Sequence, residues 1–186
     1  ALQLASFGFD VDLYEMRPEK PTPAHRGGAL AQLVCSNSFK GLALTSAHGL
    51  LKNELNMLGS FLLKAAERTA VPAGESLTVN RDLFSEEVER LILACPNITL
   101  HREEVKTLEG EFPTIVAAGP LASDTLADDI FKRLGSERLH FFDAIAPVVE
   151  TESIDFEHAF YKNRWEKGET EDFINCPLDK ETYDLF

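Results

Sequence analysis

The sequence predicts an α/β fold that begins inside a Rossmann-like, dinucleotide-binding unit. Strands and amphipathic helices alternate along the 186 residues, which is the pattern of α/β proteins. Residues 1–15 look like the second half of a β-α-β unit, because a helix end is followed by a short strand and an acidic residue. With 44% hydrophobic and 26% charged residues, the composition is that of a globular chain rather than a disordered one.

The first elements carry the dinucleotide signal. Residues 1–7 predict the last turns of a helix with Gly8 as its cap, and residues 9–14 alternate as a strand that ends at Glu15. In β-α-β units an acid at this point binds the adenosine ribose, roughly 20 residues after a glycine-rich turn. The chain has no Gly-x-Gly-x-x-Gly, so we expect that turn just before Ala1. Alternatively, Glu15 is only an exposed acid. Arg17 can reach a phosphate or stack on adenine.

The middle of the chain predicts a long loop and two helices. Residues 18–45 show no helical period and predict an ordered loop of the kind that carries function. A helix is predicted over residues 49–69, and a second one has Asp82 as its N-cap and ends before Pro96. The stripe that predicts the first helix is Leu51, Leu55, Leu58, Leu62 and Ala65.

Short strands and one further helix are predicted in the remainder. The helix is capped by Ser123, carries apolar residues at helical spacing and is followed by Gly135. The acidic, aromatic tail from Asp155 predicts a short helix and an irregular segment around Cys176. The predicted strands are residues 98–102, a buried strand at 114–118, and residues 139–142 and 145–149.

Charge and cysteine usage narrow the class of protein. The net charge is −13, and residues 151–186 hold ten acids against four bases. Composition alone therefore favours a small-molecule enzyme over a nucleic-acid binder. No stretch approaches the ~18 apolar residues of a membrane helix, so we expect no membrane partner. Three cysteines without a Cys-x-x-Cys pair indicate a reducing cytoplasm. The five histidines lack paired ligand spacing, so we expect no metal site.

A collinear set of short motifs spans nearly the whole chain. On these motifs the chain resembles the folate- and FAD-dependent tRNA (uracil-54-C5) methyltransferase family, called TrmFO and formerly Gid. It departs from the family's usual residues at Phe39-Lys40, Asn80 and Ala118, where Leu-Arg, aspartate and threonine are common. The matching stretches are residues 14–18 (YEMRP), 22–25 (TPAH), 33–38 (LVCSNS), 49–52 (GLLK), 71–74 (VPAG), 118–121 (AGPL), 153–155 (SID) and 175–177 (NCP).

The resemblance implies a flavoprotein-type, partial FAD-binding domain over residues 1–126 and the start of an inserted α+β substrate domain over residues 127–186. It also implies a much longer complete chain, so we expect these 186 residues alone to be inactive. The implied reaction is C5-methylation of uracil in the T-loop of tRNA. The one-carbon unit comes from 5,10-methylenetetrahydrofolate and passes through reduced flavin, which NADH or NADPH regenerates.

The resemblance also assigns site residues. Uracil C5 is a poor nucleophile until a thiolate adds to C6, and Cys176 is the implied nucleophile. Cys35 is implied to sit beside the flavin, where it guards the methylene adduct or handles the C5 proton. The bland alternative is that each is a small buried hydrophobe, which we expect for Cys95. The implied cofactor-binding residues are Glu15, Arg17, Ser36, Asn37 and Gly119.

Other residues and other functions stay open. His25 contacts substrate or braces its loop, and the aromatic rings of Phe141, Phe142 and Trp165 stack on a base or pack in a core. A second hypothesis is the same chemistry on ribosomal RNA, which Lys40 in place of arginine leaves open. A third is a flavin-binding module without methyl transfer, which the acidic charge would suit. The oligomeric state is not predicted.

Overall fold

The computed structural model describes residues 1–110, 112–135, 149–163 and 171–185. Strands and helices alternate along them, which confirms the predicted α/β fold class. No helix within these ranges is long and apolar enough to span a membrane. In chain order the elements are α1 (Leu2–Ser6), β1 (Val11–Tyr14), β2 (Ser38–Gly41), α2 (Ala47–Met57), α3 (Phe61–Arg68), β3 (Ala70–Val71), β4 (Ser76–Val79), α4 (Arg81–Leu93), β5 (Ile98–His101), α5 (Asp124–Leu134), β6 (Phe160–Tyr161), β7 (Ile174–Asn175) and α6 (Lys180–Leu185).

Two compact units make up the chain. The first comprises Ala1–Val34 and Ser85–Ile145, and the second comprises Cys35–Phe84 and Ala146–Phe186. Each unit is described by itself below. The domain boundary predicted between residues 126 and 127 stays a prediction.

A parallel strand pair forms the sheet of the first unit. Strand β1 pairs with β5 in a register that runs from Val11 opposite Ile98 to Tyr14 opposite His101. Parallel strands need a crossover between them, and here the crossover includes α4. Helix α1 precedes β1 and is followed by Gly8 with φ +86°. The predicted helix, cap and strand at the start of the chain are therefore confirmed.

Strand β1 has one half-buried face and one exposed face. The side chains of Val11 and Leu13 alternate with those of Asp12 and Tyr14, and only the latter pair is exposed. On the exposed face the ring of Tyr14 stacks on that of His101, with centroids 4.6 Å apart. His101 Nε2 lies 2.7 Å from a carboxylate oxygen of Asp12. Cross-strand contacts of this kind add to the backbone pairing.

Helices α4 and α5 begin and end close to the predicted residues. The hydroxyl of Ser123 accepts the backbone N–H of Leu126, and Gly135 has the left-handed φ of +63° that follows a helix end. Asp82 was the wrong cap for α4. The side-chain oxygen of Asn80 instead accepts the N–H groups of Asp82 and Leu83, so the cap lies two residues earlier. Asparagine caps a helix about as well as aspartate.

A three-stranded antiparallel sheet with the order β2-β4-β3 organises the second unit. Residues 18–45 were predicted as a loop, and β2 lies within them. Strand β4 was not predicted either, although Leu77, Thr78 and Val79 are all buried. Helix α3 packs on β4 and α2 packs on β2. The remaining apolar core of this unit is Leu63, Ala65, Ala66, Ala73 and Phe84.

The single helix predicted over residues 49–69 is two helices. Gly59 adopts φ +77°, a conformation that an L side chain rarely takes, and this ends α2. Ser60 then caps α3 by accepting the N–H of Leu63. The predicted apolar stripe is largely exposed, and only Ala65 lies in the core. The exposed fractions of its leucines are 54% for Leu51, 38% for Leu55, 72% for Leu58 and 49% for Leu62.

The buried strand predicted at residues 114–118 is also wrong. This segment has no regular structure, and Phe112, Ile115 and Val116 are 85%, 73% and 44% exposed. A buried strand requires a hydrogen-bonded neighbour, and no described residue pairs with this segment. The strands predicted at 139–142 and 145–149 lie outside the described residues except for Val149, as do Phe141, Phe142 and Trp165.

Glycine is required at position 49 by a close backbone approach. A Cβ built on Gly49 would lie 2.1 Å from the carbonyl oxygen of Ala43. The close approach comes from the N-terminal turn of α2, where the hydroxyl of Ser46 accepts the N–H of Gly49 and donates to Ala43 O.

We therefore expect Gly49→Ala to lower the free energy of unfolding by about 3 kcal/mol, the upper end of the range for overpacking. The clash involves backbone atoms that no side-chain rotation relieves. Urea denaturation measures the change. Gly41→Ala is the control, because its Cβ would meet nothing nearer than Ser46 Oγ at 3.9 Å. Equal stabilities for the two variants would contradict this account of α2.

Candidate functional site

Glu15 lies at the carboxyl end of β1, where the dinucleotide pattern predicts it. Its N–H donates to His101 O at 3.0 Å and extends the pairing of β1 with β5 by one residue. Its carboxylate accepts three hydrogen bonds from Arg17, one from the backbone N–H (2.9 Å) and two from the guanidinium (2.9 and 3.0 Å). The acid is thus held in place by a bidentate pair.

The ionisation of Glu15 depends on Arg17. Burial by itself raises the pKa of Glu15, but the side-chain and backbone hydrogen bonds from Arg17 outweigh it and bring the pKa below the ordinary value of 4.5. A lowered pKa in the folded state means that the ion pair stabilises the fold fully above that ordinary value. The contribution disappears as the pH falls through the lowered pKa.

Arg17 is buried with one unmatched donor. Arg17 as a whole is only 4% exposed. Its Nη1 atom is buried and has no hydrogen-bond partner among the described residues. An unmatched buried donor is costly unless an acceptor reaches it. A phosphate or ribose oxygen would be such an acceptor, and a contact of Arg17 with a dinucleotide stays a prediction.

Arg102 ties the loop after Arg17 to the end of β5. Its Nη1 donates to the carbonyl oxygens of Arg17 (3.0 Å) and Gly28, and its Nη2 donates to Glu89 Oε1 at 2.7 Å. Residues 17–28 form a closed loop, because a Cβ on Gly28 would touch the ring of Pro18. This arginine was not predicted as a site residue. The signal was available, because neighbouring parallel strands end at one sheet edge and Arg102 follows β5 as Glu15 follows β1.

His25 braces the same loop. The hydroxyl of Thr22 accepts the N–H of His25 at 3.1 Å and lies 2.6 Å from His25 Nδ1. Burial, followed by the positive charge of Arg17, lowers the pKa of His25 below its usual 6.5. A neutral ring with a local partner fits the bracing role. A contact of His25 with substrate stays a prediction.

The segment with Cys35 is fastened to the sheet of the second unit. Asn37 Nδ2 donates to Val79 O at 2.9 Å, and Val79 N donates to Asn37 O at 3.0 Å. Ser36 Oγ accepts the N–H of Ser38. Cys35 is an exposed residue. The amide nitrogen of Asn37 and the hydroxyl of Ser36 therefore serve the local fold, and flavin contacts by Ser36 and Asn37 stay predictions.

Cys176 follows β7 directly and is exposed. Strand β7 pairs with β6, and Asn175 Nδ2 donates to the carbonyl oxygens of Lys162 (2.9 Å) and Phe173 (3.1 Å). Cys35 and Cys176 belong to the same compact unit. Their predicted meeting at one uracil ring stays a prediction.

Two further features complete the predicted site. Gly119 begins a short 3-10 turn with φ +66°, and nothing lies within 4 Å of the position of a Cβ there. Its open surface leaves room for a ligand, and its cofactor contact stays a prediction. Within the described residues, no group of three or more His, Cys, Asp or Glu side chains is placed to hold a metal ion.

A parallel strand pair with a helical crossover, and an acid after the first strand, is the arrangement of Rossmann-like α/β proteins. The family model described as Glucose inhibited division protein A matches residues 1–186. The chain belongs to this family.

Curated relatives agree with the motif resemblance. The Lactobacillus helveticus protein named Methylenetetrahydrofolate--tRNA-(uracil-5-)-methyltransferase TrmFO is 48% identical to this chain, over 99% of this chain and 45% of its own length. The protein of that name in Aquifex aeolicus is 50% identical over 100% of this chain and 42% of its own length. The resemblance is confirmed, and the chain spans less than half the length of these relatives.

We expect Arg102→Met to lower the free energy of unfolding by about 1–3 kcal/mol, because Glu89 and two backbone carbonyls lose their donor. Urea denaturation measures the loss, and hydrogen exchange should rise across residues 17–28. Arg90→Met is the matched control, because the ion pair of the exposed Arg90 within the described part of the chain is with Glu87 on its own helix, and such a pair is worth less than about 1 kcal/mol. A similar loss in both variants would mean that Arg102 does not hold the loop.

Proposed function

We propose that this chain is part of a FAD-dependent enzyme that methylates C5 of a uracil in the T-loop of tRNA, with 5,10-methylenetetrahydrofolate as carbon donor. The observation that carries the proposal is the identity of about 48% to the L. helveticus protein across 99% of this chain. That relative is named as a methylenetetrahydrofolate-dependent tRNA (uracil-5-) methyltransferase. A cytoplasmic location is part of the proposal, and no disulfide among the three cysteines is consistent with it.

The first unit supplies the dinucleotide end of the site in this proposal. Glu15 presents carboxylate oxygens to the ribose, and the unmatched Nη1 of Arg17 donates to an oxygen of the same ligand. FAD, which Glu15 and Arg17 would help to hold, would supply electrons taken from NADH or NADPH and would carry the one-carbon unit of the folate. Residues 1–126 would belong to the FAD domain, and residues 127–186 would begin the substrate domain.

The second unit supplies the thiols. The thiolate of Cys176 adds to C6 of uracil and turns C5 into an enolate-like carbon, which forms the new bond to the one-carbon unit. Removal of the C5 proton, a step for which Cys35 is the candidate base, breaks the bond between the one-carbon unit and its carrier and leaves a methylene group on C5. Addition of a hydride, at the expense of the nicotinamide, turns this methylene group into a methyl group and expels the Cys176 thiolate from C6. The exposure of both cysteine residues supports these roles, because a buried cysteine reaches no substrate.

The other hypotheses make different demands. Methylation of ribosomal RNA would use the same thiols, and it rests on the exposed Lys40, which stands in a bulge of β2 with φ +69°. The relatives' names mention tRNA, so we prefer tRNA. A flavin-binding module without methyl transfer would need neither thiol, and the experiments below separate it from the enzyme.

We expect Glu15→Ala in the complete polypeptide to weaken FAD binding by about 1–3 kcal/mol, the usual cost of unmatched polar partners. Flavin fluorescence titration of the apoprotein measures it. Asp12→Ala is the control, because Asp12 lies on the same strand and its carboxylate contacts only His101 among the described partners. Unchanged flavin retention by Glu15→Ala would remove Glu15 from the cofactor site.

We expect Cys176→Ala to abolish the covalent complex with 5-fluorouracil-containing tRNA, because no thiolate remains to attack C6. Cys35→Ala should stop turnover and leave the RNA bound. Cys95→Ala, a half-buried cysteine after α4, should change neither. Denaturing gels report the covalent complex, and filter binding reports the RNA. If Cys176→Ala still forms the adduct, Cys35 becomes the candidate nucleophile. Repeating the assay with ribosomal RNA fragments distinguishes the two RNA targets.

A further inference from the structure

Asp172 makes a long-range hydrogen bond inside the second unit. Its Oδ2 accepts the backbone N–H of Gly74 at 2.6 Å, although 98 positions separate the two residues. No local sequence pattern predicts this contact, because it joins two segments that are remote in the chain.

Gly74 lies in the turn that leads into β4. Ser76 N donates to Ala73 O across this turn at 3.1 Å, and Ala73 is buried. At the other end of β4, Val79 exchanges hydrogen bonds with Asn37, two positions after Cys35. The tie at Gly74 and the tie at Val79 are thus five residues apart, at most about 18 Å along an extended chain.

Asp172 lies in the segment that leads to Cys176. Its N–H donates to Oδ1 of the buried Asn163 at 2.8 Å. Lys162 N then donates to Phe173 O at 2.9 Å, and β6 pairs with β7 as far as Asn175. Cys176 is the next residue. Through these bonds, a shift of Asp172 would move β7, the strand that ends just before Cys176.

The strands of this pair are too short to hold themselves in position. Strands β6 and β7 have two residues each, and an isolated two-stranded hairpin is marginally stable at best. The pair therefore needs an anchor on a larger sheet. Gly74 N–H is such an anchor, because the turn that contains it continues into the buried strand β4.

We propose that Asp172 is a positioning residue for the Cys176 nucleophile, because it fastens the β6–β7 pair to the sheet that also holds the Cys35 segment. This inference rests on the proposed function. The two thiols must act on one uracil ring, and a misplacement of about 1 Å can cost roughly 100-fold in rate. Asp172 acts through Cys176 and touches no reacting atom.

The test uses the complete polypeptide and the rate of covalent complex formation with 5-fluorouracil-containing tRNA. Asp172→Ala should slow the reaction by about 10–100-fold, with flavin content and the Kd for tRNA unchanged. Asp172→Asn keeps an acceptor for Gly74 N–H and should come within about threefold of the wild type, which is about RT in free energy. A lowered maximal rate of complex formation with an unchanged Kd for tRNA, restored by asparagine, is not expected of general destabilisation.

Asp179→Ala is the matched control. Asp179 lies three positions after Cys176, and its carboxylate also accepts a backbone N–H, that of Thr182 at 2.7 Å. That bond is local to the start of α6, so its loss should leave the rate unchanged. If Asp172→Ala does not fold, Asp172→Glu decides. Its carboxylate is one methylene longer and keeps the bond only if the β6–β7 pair moves, so it too should react slowly.

The outcomes separate this inference from the proposed function. Wild-type rates for Asp172→Ala or, failing that, for Asp172→Glu, with no adduct in Cys176→Ala, would overturn the role of Asp172 and leave the methyltransferase proposal standing. Equally slow Asp172→Ala and Asp172→Asn would also overturn it, because the charge and not the acceptor would then matter. No adduct in the wild type would instead contradict the proposed function.

Discussion

Strand β4 is the element on which the second unit depends. It is hydrogen-bonded on both edges, to β2 and to β3, and its residues from Leu77 to Val79 are buried. Because buried backbone groups must be paired, β4 fixes its neighbours in register. Both segments with exposed candidate thiols are tied to it, one at Val79 and one at the turn before Ser76. The strand thus sets the relation between two loops that the sequence separates widely.

Hydrogen bonds from arginine side chains hold the loop of the first unit in a similar way. The loop from Arg17 to Gly28 has little regular structure, so its carbonyl groups need donors from elsewhere. Arg102 supplies two of those hydrogen bonds and takes its charge partner, Glu89, from α4. Arg17 in turn is engaged by Glu15 and keeps one buried N–H unmatched within the described residues. Arg17 is therefore both the first residue of the loop that Arg102 holds and the residue with a donor left for a ligand.

Local signals in the sequence were sufficient where one segment decides its own conformation. Ser123 marks the start of α5 and Gly135 marks its end, because a cap and a left-handed glycine act on adjacent backbone groups. The alternation before Glu15 identified β1, and residues 98–102 identified β5.

Local signals failed where tertiary contacts decide. Gly59 interrupts an apolar stripe that predicts one continuous helix, and β4 is recognisable only through the strands beside it. Residues 114–118 have strand-like composition without a partner. The hydrogen bond between Asp172 and Gly74 has no sequence signature, because the residues next to Asp172 do not indicate a partner so far away in the chain.

The exposed leucines of α2 and α3 bear on the colloidal behaviour of the chain. Leu51, Leu58 and Leu62 are each about half or more exposed, and apolar surface of this kind promotes self-association. The net charge of −13 opposes it through mutual repulsion between copies. Salt weakens only the repulsion, since the screening length falls from about 8 Å at 0.15 M to about 3 Å at 1 M. Dilute buffers should therefore keep the chain monodisperse, and salting-out conditions should favour its assembly.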